Sequence, residues 1–258
     1  MKFALEIRAG RRSTEEFANR LENELAERGV KLIADPDSRP DMVLAVGGDG
    51  TMLAAVNRSV AWDVPVLGFN LGTLGFLAAA EPSDVEQVVD RLLEGDYEIE
   101  ERTTVRASTG ENAAVGINDV VVEKVDSTRL VSLDVDIDGS PFVTYRADGL
   151  IVATPTGSTA YSFSAGGPLV DPAVDALVVT PVASHSLFDR ALVIPGESEL
   201  TITVRRDRYV KVNVDKANLG QLGDGEAVTI RRGDVPAKFV RLEPRSFAGL
   251  VREKFGLS

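Results

Sequence analysis

Met42-Val43-Leu44-Ala45-Val46-Gly47-Gly48-Asp49-Gly50-Thr51-Met52 is the stretch that decides the fold. Five apolar residues with no polar interruption read as a strand buried on both faces. The glycine pair then forces a turn, and Met52 to Val60 reads as the helix that follows. Downstream, Val64 to Phe69 repeats the strand pattern. Ser83 to Glu94 repeats the helix, with Ser83 as its cap and Gly95 as its stop. Upstream, Phe3 to Ile7 alternates like a short strand. In Thr14 to Arg28, Phe17, Leu21 and Leu25 recur at helical spacing. Ser13 reads as the N-cap, with Glu16 closing a capping box, and Gly29 ends the helix. Strands alternating with helices predict a parallel sheet covered on both faces, a doubly wound α/β domain over residues 1–95.

Past Gly95 the texture changes. Tyr97 to Arg106, Ala114 to Glu123, Arg129 to Ile137, Phe142 to Arg146, Leu150 to Ala153, Ala176 to Val182, Glu199 to Val204, Tyr209 to Val214 and Ala227 to Arg231 read as short strands between turn signals. Asp138-Gly139 is a hairpin turn between two of them. Residues 96–243 therefore form a C-terminal, mostly-β domain. Phe247 to Phe255, after Pro244, reads as a helix, and residues 244–258 are expected to pack back on the first domain.

The chain has 258 residues, 44% of them hydrophobic, enough for a sizeable core. Cysteine is absent, so disulfides and thiolate metal sites are excluded. Glu6 and Arg8 interrupt the first apolar stretch, so it does not read as a signal peptide. No apolar run approaches the ~20 residues of a membrane span. A formal net charge of −12 argues against nucleic acid as a partner. These features predict a cytoplasmic protein without a membrane or nucleic-acid partner.

Chemistry concentrates in four stretches. Gly47-Gly48-Asp49-Gly50-Thr51 lies between a buried strand and a helix start. Glycines let a ligand approach the backbone, and the helix N-terminus offers free amides and a positive dipole end. Asp49 is the odd member, because a carboxylate repels phosphate. It makes sense as an acceptor of a hydroxyl proton or as a holder of Mg²⁺. Spacing alone does not separate that role from a carboxylate satisfied by turn amides. The second stretch runs from Ala147-Asp148-Gly149 through Thr154-Pro155-Thr156-Gly157-Ser158-Thr159-Ala160-Tyr161-Ser162-Phe163-Ser164 to Gly166-Gly167-Pro168. Its hydroxyls, exposed amides and aromatic Tyr161 suit the sugar, base and phosphates of a nucleotide. Asn118-Asp119, at a strand start, is a turn or a binder of ribose diols. Gly68 to Leu77 puts a glycine-rich loop at a strand's carboxyl end, where ligands sit in open α/β sheets. His185, the single histidine, reads as packed or hydrogen-bonded, and Trp62 as packing.

These four stretches, in this order and spacing, resemble the NAD kinase family from about Asp41 to the C-terminus. The Gly-Gly-Asp-Gly-Thr loop is shared with lipid kinases of the diacylglycerol type; the run after Asp148-Gly149 is more specific. The resemblance implies phosphoryl transfer from ATP or polyphosphate to the 2′-hydroxyl of the adenosine ribose of NAD, with a divalent metal, Mg²⁺, and a homodimer or homotetramer. It implies that Asp49 is the proton acceptor, with Gly47, Gly48, Gly50 and Thr51 at the phosphates. Asn118, Asp119, Arg129, Arg146, Asp148, Thr156, Thr159, Ala160, Tyr161, Ser162, Phe163 and Ser164 would contact the dinucleotide. The metal ligands are not implied.

The chain departs from the family's pattern in three places. Ala54 stands where a basic residue is common, with Arg58 a turn later. Asp215-Lys216-Ala217 replaces a usual Asp-Gly-Gln, and Ser184 replaces the Pro before the His. Two rival readings remain open on sequence: a lipid kinase, which needs a membrane-facing patch not seen here, and a dinucleotide sensor, which would not need Asp49. Arg outnumbers Lys among the cations, and an acidic, Lys-poor surface suits a salty cytoplasm. Urea midpoints should then rise from low to multimolar KCl; indifference to salt would remove that reading.

Overall fold

The computed structural model describes residues 1–8, 10, 12–33, 38–71, 75–77, 80–110, 112–206, 208–244 and 246–257. Gly72, Thr73 and Leu74 of the expected glycine-rich loop lie outside them. The elements begin with β1 (Lys2–Ile7), α1 (Arg12–Glu27), β2 (Lys31–Ile33), β3 (Met42–Val46), α2 (Asp49–Trp62), β4 (Val66–Phe69), α3 (Val85–Glu94) and β5 (Glu98–Arg102). There follow β6 (Val105–Thr109), β7 (Asn112–Gly116), β8 (Asp119–Lys124), β9 (Val131–Ile137), β10 (Ser140–Ala147) and β11 (Gly149–Ala153). After a short helical turn α4 (Tyr161–Ser164) come β12 (Ala176–Val182), β13 (Leu192–Pro195), β14 (Leu200–Arg205), β15 (Val210–Val214), β16 (Ala217–Leu222) and β17 (Ala227–Arg232). β18 (Ala237–Arg241) and α5 (Phe247–Phe255) close the chain. Two compact units result, Met1–Glu101 with Ala237–Ser258, and Arg102–Pro236.

In the first unit the sheet order is β2-β1-β3-β4-β18-β5, and β2, β1, β3, β4 and β18 run parallel. Side chains alternate across a sheet, so a strand buried on both faces needs cover on both. Met42, Leu44, Val46, Leu67 and Phe69 join one core with Phe17, Leu21 and Leu25 of α1 and Val85, Val88, Val89 and Leu92 of α3. Phe17 and Phe69 pack with ring centres 5.2 Å apart. α2 lies against β3 and β1 and buries Met52, Ala55 and Val56, leaving Val43 and Ala45 for its side. This is the doubly wound layering expected.

Local expectations fail at the helix starts. α1 begins at Arg12, so Ser13 lies within the helix, and Glu16 pairs with Arg12 at 2.7 Å instead of closing a capping box. Ser83 sits in a 3-10 turn, Pro82–Asp84, and the N-cap of α3 is Asp84, with no side-chain cap bond. α2 starts at Asp49, three residues earlier than Met52, with Gly48 at its cap. The sequence boundaries at 95 and 243 leave out β5 and β18, which belong to the first sheet; both look like other short strands, and only their partners assign them. α5 also belongs to the first unit. Its Ser246 hydroxyl accepts the Gly249 N–H at 3.1 Å, and its Lys254 lies 5.5 Å from the Phe76 ring centre.

The second unit holds two six-stranded sheets, β10-β9-β14-β17-β6-β7 and β13-β12-β11-β8-β15-β16. Their inner faces share one core, with Leu133, Val135, Ile202 and Ile230 from the first and Val120, Val122, Leu150, Val152 and Val212 from the second. Asp138 and Gly139 have φ of 51° and 73°, the two positive values of a type I′ hairpin joining β9 to β10. The expected strand 97–106 is two strands, and 114–123 breaks so that Asp119 opens β8. Among the described residues, no helix is long and apolar enough to cross a membrane.

Leu21 is fully buried at the α1–sheet core. Leu21→Ala should lower unfolding free energy in urea by about 2–5 kcal/mol, whereas a loss below about 1 kcal/mol would show that this core does not hold α1.

Candidate active site

The first unit contributes the turn between β3 and α2. Gly47 is buried, with φ of 153°, and its N–H donates to the Phe69 carbonyl at 3.2 Å. A Cβ at 47 would stand 2.4 Å from Thr51 Oγ1, so only glycine lets the strand end run this close to the helix. Gly48, Asp49 and Gly50 are exposed. The Gly48 carbonyl accepts the N–H of Thr51 at 2.9 Å and of Met52 at 3.1 Å. The amides at the very start of α2 have no preceding turn to bond, and the dipole's positive end lies there. Asp49 stands in this first turn. Its carboxylate lies against the Cα of Gly75, where a Cβ would come 2.2 Å from Oδ1. Among the described residues Asp49 makes no ion pair. Arg58 is committed: it pairs with Glu6 at 2.8 Å and lies 4.9 Å from the Trp62 ring centre.

In the second unit, strand β8 opens on a knot of backbone and carboxylate. The Asp215 carboxylate accepts the N–H groups of Ile117 and Asn118, each at 2.9 Å, and of Asp119 at 3.2 Å. The Asp215 N–H donates to the Asp119 carbonyl at 2.9 Å. Asp215 has φ of 49° in the turn between β15 and β16, which aims its side chain back at these amides. Gly116 leaves room for it, since a Cβ there would lie 2.9 Å from the Asp215 carboxyl carbon. From the other side, the Thr154 N–H donates to the Asn118 carbonyl at 2.8 Å, and the Thr154 hydroxyl donates to the Ile117 carbonyl at 2.5 Å. Gly157 crosses so closely that a Cβ would fall 1.9 Å from the Asn118 oxygen. Asn118 and the 154–157 turn are thus locked together.

Asp119 is 6% exposed, and no hydrogen bond to its carboxylate is formed among the described residues. Burial, then the nearby Asp215 charge, pushes its pKa up to about 7. Burial also raises the pKa of Asp215, against the pull of its three amide donors.

The other expected contacts fall into distinct settings. Thr156 and Ser162 are buried, and the Ser162 hydroxyl is bonded to Thr180 Oγ1 at 2.8 Å inside the unit. Ser158 fixes the same loop: its Oγ donates to the Pro155 carbonyl at 2.6 Å and accepts the Val170 N–H at 2.9 Å. Thr159 and Ala160 are half-buried, and Tyr161, Phe163 and Ser164 are exposed on α4. Asp148 pairs with Lys124 at 2.5 Å, its neighbour across β8 and β11. Arg129 is exposed beside a cleft of about 180 Å³ that Lys124, Asp126, Arg208 and Tyr209 also line. The Thr128 amide and hydroxyl hold the Asp126 carboxyl below its usual range. Arg146 is exposed, and its carbonyl accepts the His185 N–H at 2.7 Å. His185, expected to be packed or hydrogen-bonded, is exposed, and its backbone N–H makes that bond. Sequence reasoning missed Thr154, Gly157, Thr180 and Gly75 as structural members, and left Asp215 unassigned. Only the glycines carried a signal, because bulk excluded by a distant neighbour is invisible along the chain. Among the described residues, no group of three or more His, Asp or Glu side chains stands close enough to hold a metal ion.

The family model for the ATP-NAD kinase N-terminal domain matches residues 11–97, and that for the C-terminal domain matches 117–242. The chain belongs to the NAD kinase family. An NAD kinase of Moorella thermoacetica is 44% identical over 217 residues, covering 82% of this chain and 70% of that protein. NAD kinase 2 of Streptomyces avermitilis is 41% identical over 223 residues, covering 84% of this chain and 74% of that protein. The crystal structure of yeast NADH kinase complexed with NADH superposes with a TM-score of 0.86 at 26% identity, covering 100% of this chain and 87% of that one. An NAD kinase from Archaeoglobus fulgidus in complex with ATP gives 0.81 at 25% identity, covering both chains fully. Like the family, this chain is an enzyme that phosphorylates NAD, and the lipid-kinase and sensor readings fall away.

The raised pKa of Asp119 has a sign. The native carboxyl holds its proton up to about pH 7, while in the unfolded chain it releases it near 3.8. The folded state therefore binds more protons between these values, and stability falls as pH rises through that window. Asp119→Asn should lose this slope and gain stability relative to wild type between pH 5 and pH 8, read as melting temperature; parallel pH curves would show that Asp119 ionises freely in the fold.

Proposed function

We propose that Asp49 is the general base of this NAD kinase. The observation that supports it is a carboxylate in the first turn of α2, beside exposed glycines and free of any ion pair among the described residues. In this reading Asp49 takes the proton of the adenosine 2′-hydroxyl of NAD as that oxygen bonds to the γ-phosphorus of ATP. The bond to the bridging oxygen breaks, ADP leaves, and NADP forms. Phosphoryl transfer asks little covalent chemistry of a protein beyond positioning and charge neutralisation. The amides of Gly48, Asp49 and Gly50 serve the donor phosphates. Gly47 and Thr51 shape the turn.

The second unit is the dinucleotide-binding part. Asn118 and Asp119 hold ribose hydroxyls, with the 154–157 turn fixing Asn118. Tyr161, Phe163 and Ser164 offer exposed aromatic and hydroxyl surface to the dinucleotide, with Thr159 and Ala160 at its edge. Thr156 and Ser162 support that loop from within. Arg129 and Arg146 are charge contacts, and Asp148 acts with Lys124 as a neutral pair.

The divalent cation is Mg²⁺. With Asp49 kept as the base, the donor's phosphate oxygens and water would hold the ion, a common arrangement for Mg²⁺. When bound it neutralises the donor's negative charge. ATP is the preferred donor and polyphosphate the second, because Arg58 is held by Glu6 and not offered to a long polyanion. NADH is the alternative acceptor to test, as the yeast relative is an NADH kinase. The working form is a homodimer or homotetramer in the cytoplasm, following the family resemblance and the composition.

Asp49→Asn keeps the shape and removes the base. It should bind NAD as wild type does by calorimetry and lower kcat by about 10²–10⁴-fold, read as NADP with an NADP-specific dehydrogenase. Near wild-type turnover in this variant would remove Asp49 from the mechanism. The same assay with polyphosphate in place of ATP ranks the donors.

A further inference from the structure

We propose that Gly75 is a positioning residue for the phosphoryl transfer, and that its missing side chain is the space in which the Asp49 carboxylate stands. The inference rests on the reading of Asp49 as the base. A Cβ built on Gly75 would lie 2.2 Å from Asp49 Oδ1 and 3.1 Å from its carboxyl carbon. The first separation is far inside van der Waals contact. Gly75 has no positive φ, so its backbone would accept alanine without strain. Gly47 differs, because there both φ and crowding demand glycine. At position 75 the Asp49 carboxylate is what an added methyl meets.

Gly75 is buried, and the described residues that follow it are packed or hydrogen-bonded, so the acid would give way. Leu77 is buried at 4% exposure, and Phe76 lies beneath Lys254 of α5. Ala80 is tied to β4 and its exit: its N–H donates to the Gly68 carbonyl at 3.1 Å and its carbonyl accepts the Asn70 N–H at 3.0 Å. Asp49, by contrast, is a short exposed side chain that can rotate away about its own χ angles. Added bulk at 75 therefore re-aims the base and leaves the fold in place. A displacement of about 1 Å in a reacting group can cost on the order of 10²-fold in rate.

The test is a cycle of Gly75→Ala, Asp49→Ala and the double variant, in single-turnover assays with enzyme in excess so that low rates are readable. Gly75→Ala should lower the rate by about 10–100-fold with KM for NAD and the melting temperature unchanged, the mark of an interaction lost only in the transition state. Asp49→Ala removes the atoms that would collide, so adding Gly75→Ala to it should change the residual rate by less than about twofold. A wild-type rate in Gly75→Ala, or an equal loss in both backgrounds, would overturn the proposal. If Gly75→Ala instead lowers the melting temperature, the double variant should recover it; failure to recover also overturns the proposal. Asp49→Ala reports on the base independently. Full activity in that variant alone defeats the base reading, whereas an inactive Asp49→Ala beside a fully active Gly75→Ala defeats only the role given to Gly75.

Discussion

The close crossing of the β3 end and the first turn of α2 is the constraint on which the first unit depends. A buried parallel strand must turn directly into a helix whose N-terminus stays open. Residue 47 can make that turn only without a side chain, since Thr51 Oγ1 occupies the place of its Cβ. The consequence is chemical as well as steric. Asp49 enters the helix at its first residue, and Gly48, Asp49 and Gly50 are exposed. Both faces of the sheet are covered, by α1 and α3 on one side and α2 on the other. The turn is therefore presented by a rigid layer rather than by a free loop, which suits a reaction that relies on position.

The second unit solves a different problem, the placing of acids in a dry site. Asp119 is buried and the nearby Asp215 half-buried, and like charges so placed repel. The fold gives all three nearby amides to Asp215 and leaves the Asp119 carboxylate without a hydrogen bond among the described residues. One acid pins the backbone of 117–119, and the carboxylate of the other accepts no hydrogen bond among the described residues. Thr154 and Gly157 hold the same backbone from the opposite side. The departure from the family's Asp-Gly-Gln at Asp215-Lys216-Ala217 thus leaves the anchoring carboxylate in place.

Much of this was legible along the chain. The apolar run 42–46 and the spacing of Phe17, Leu21 and Leu25 gave the layers of the first unit because burial imposes a period that local sequence must carry. The hydroxyl- and glycine-rich run after Asp148 marked the loop. Helix starts at Ser13 and Ser83 were misread because many Ser residues resemble caps, and the choice among neighbouring registers is made by packing. β5 and β18 were assigned to the wrong unit for a similar reason: a five-residue strand looks the same in either sheet. The roles of individual hydroxyls were also hidden. Ser162 reads as a ligand contact in sequence, yet Thr180, eighteen residues away, takes its hydrogen bond.

The sequence by itself determined the α/β and β-rich halves, the glycine turn with Asp49 at its centre and the Asn118-Asp119 pair, because periodicity, glycine and residue type are local properties. Only the tertiary structure decided which groups remain for chemistry. Arg58, Asp148, Ser162 and Asp215 each have a partner distant in the chain, while among the described residues Asp49 and Asp119 form no ion pair. Space was decided there too: Gly75 and Gly157 stand where a Cβ would meet Asp49 and Asn118, and excluded volume between remote residues has no signature in the order of the amino acids.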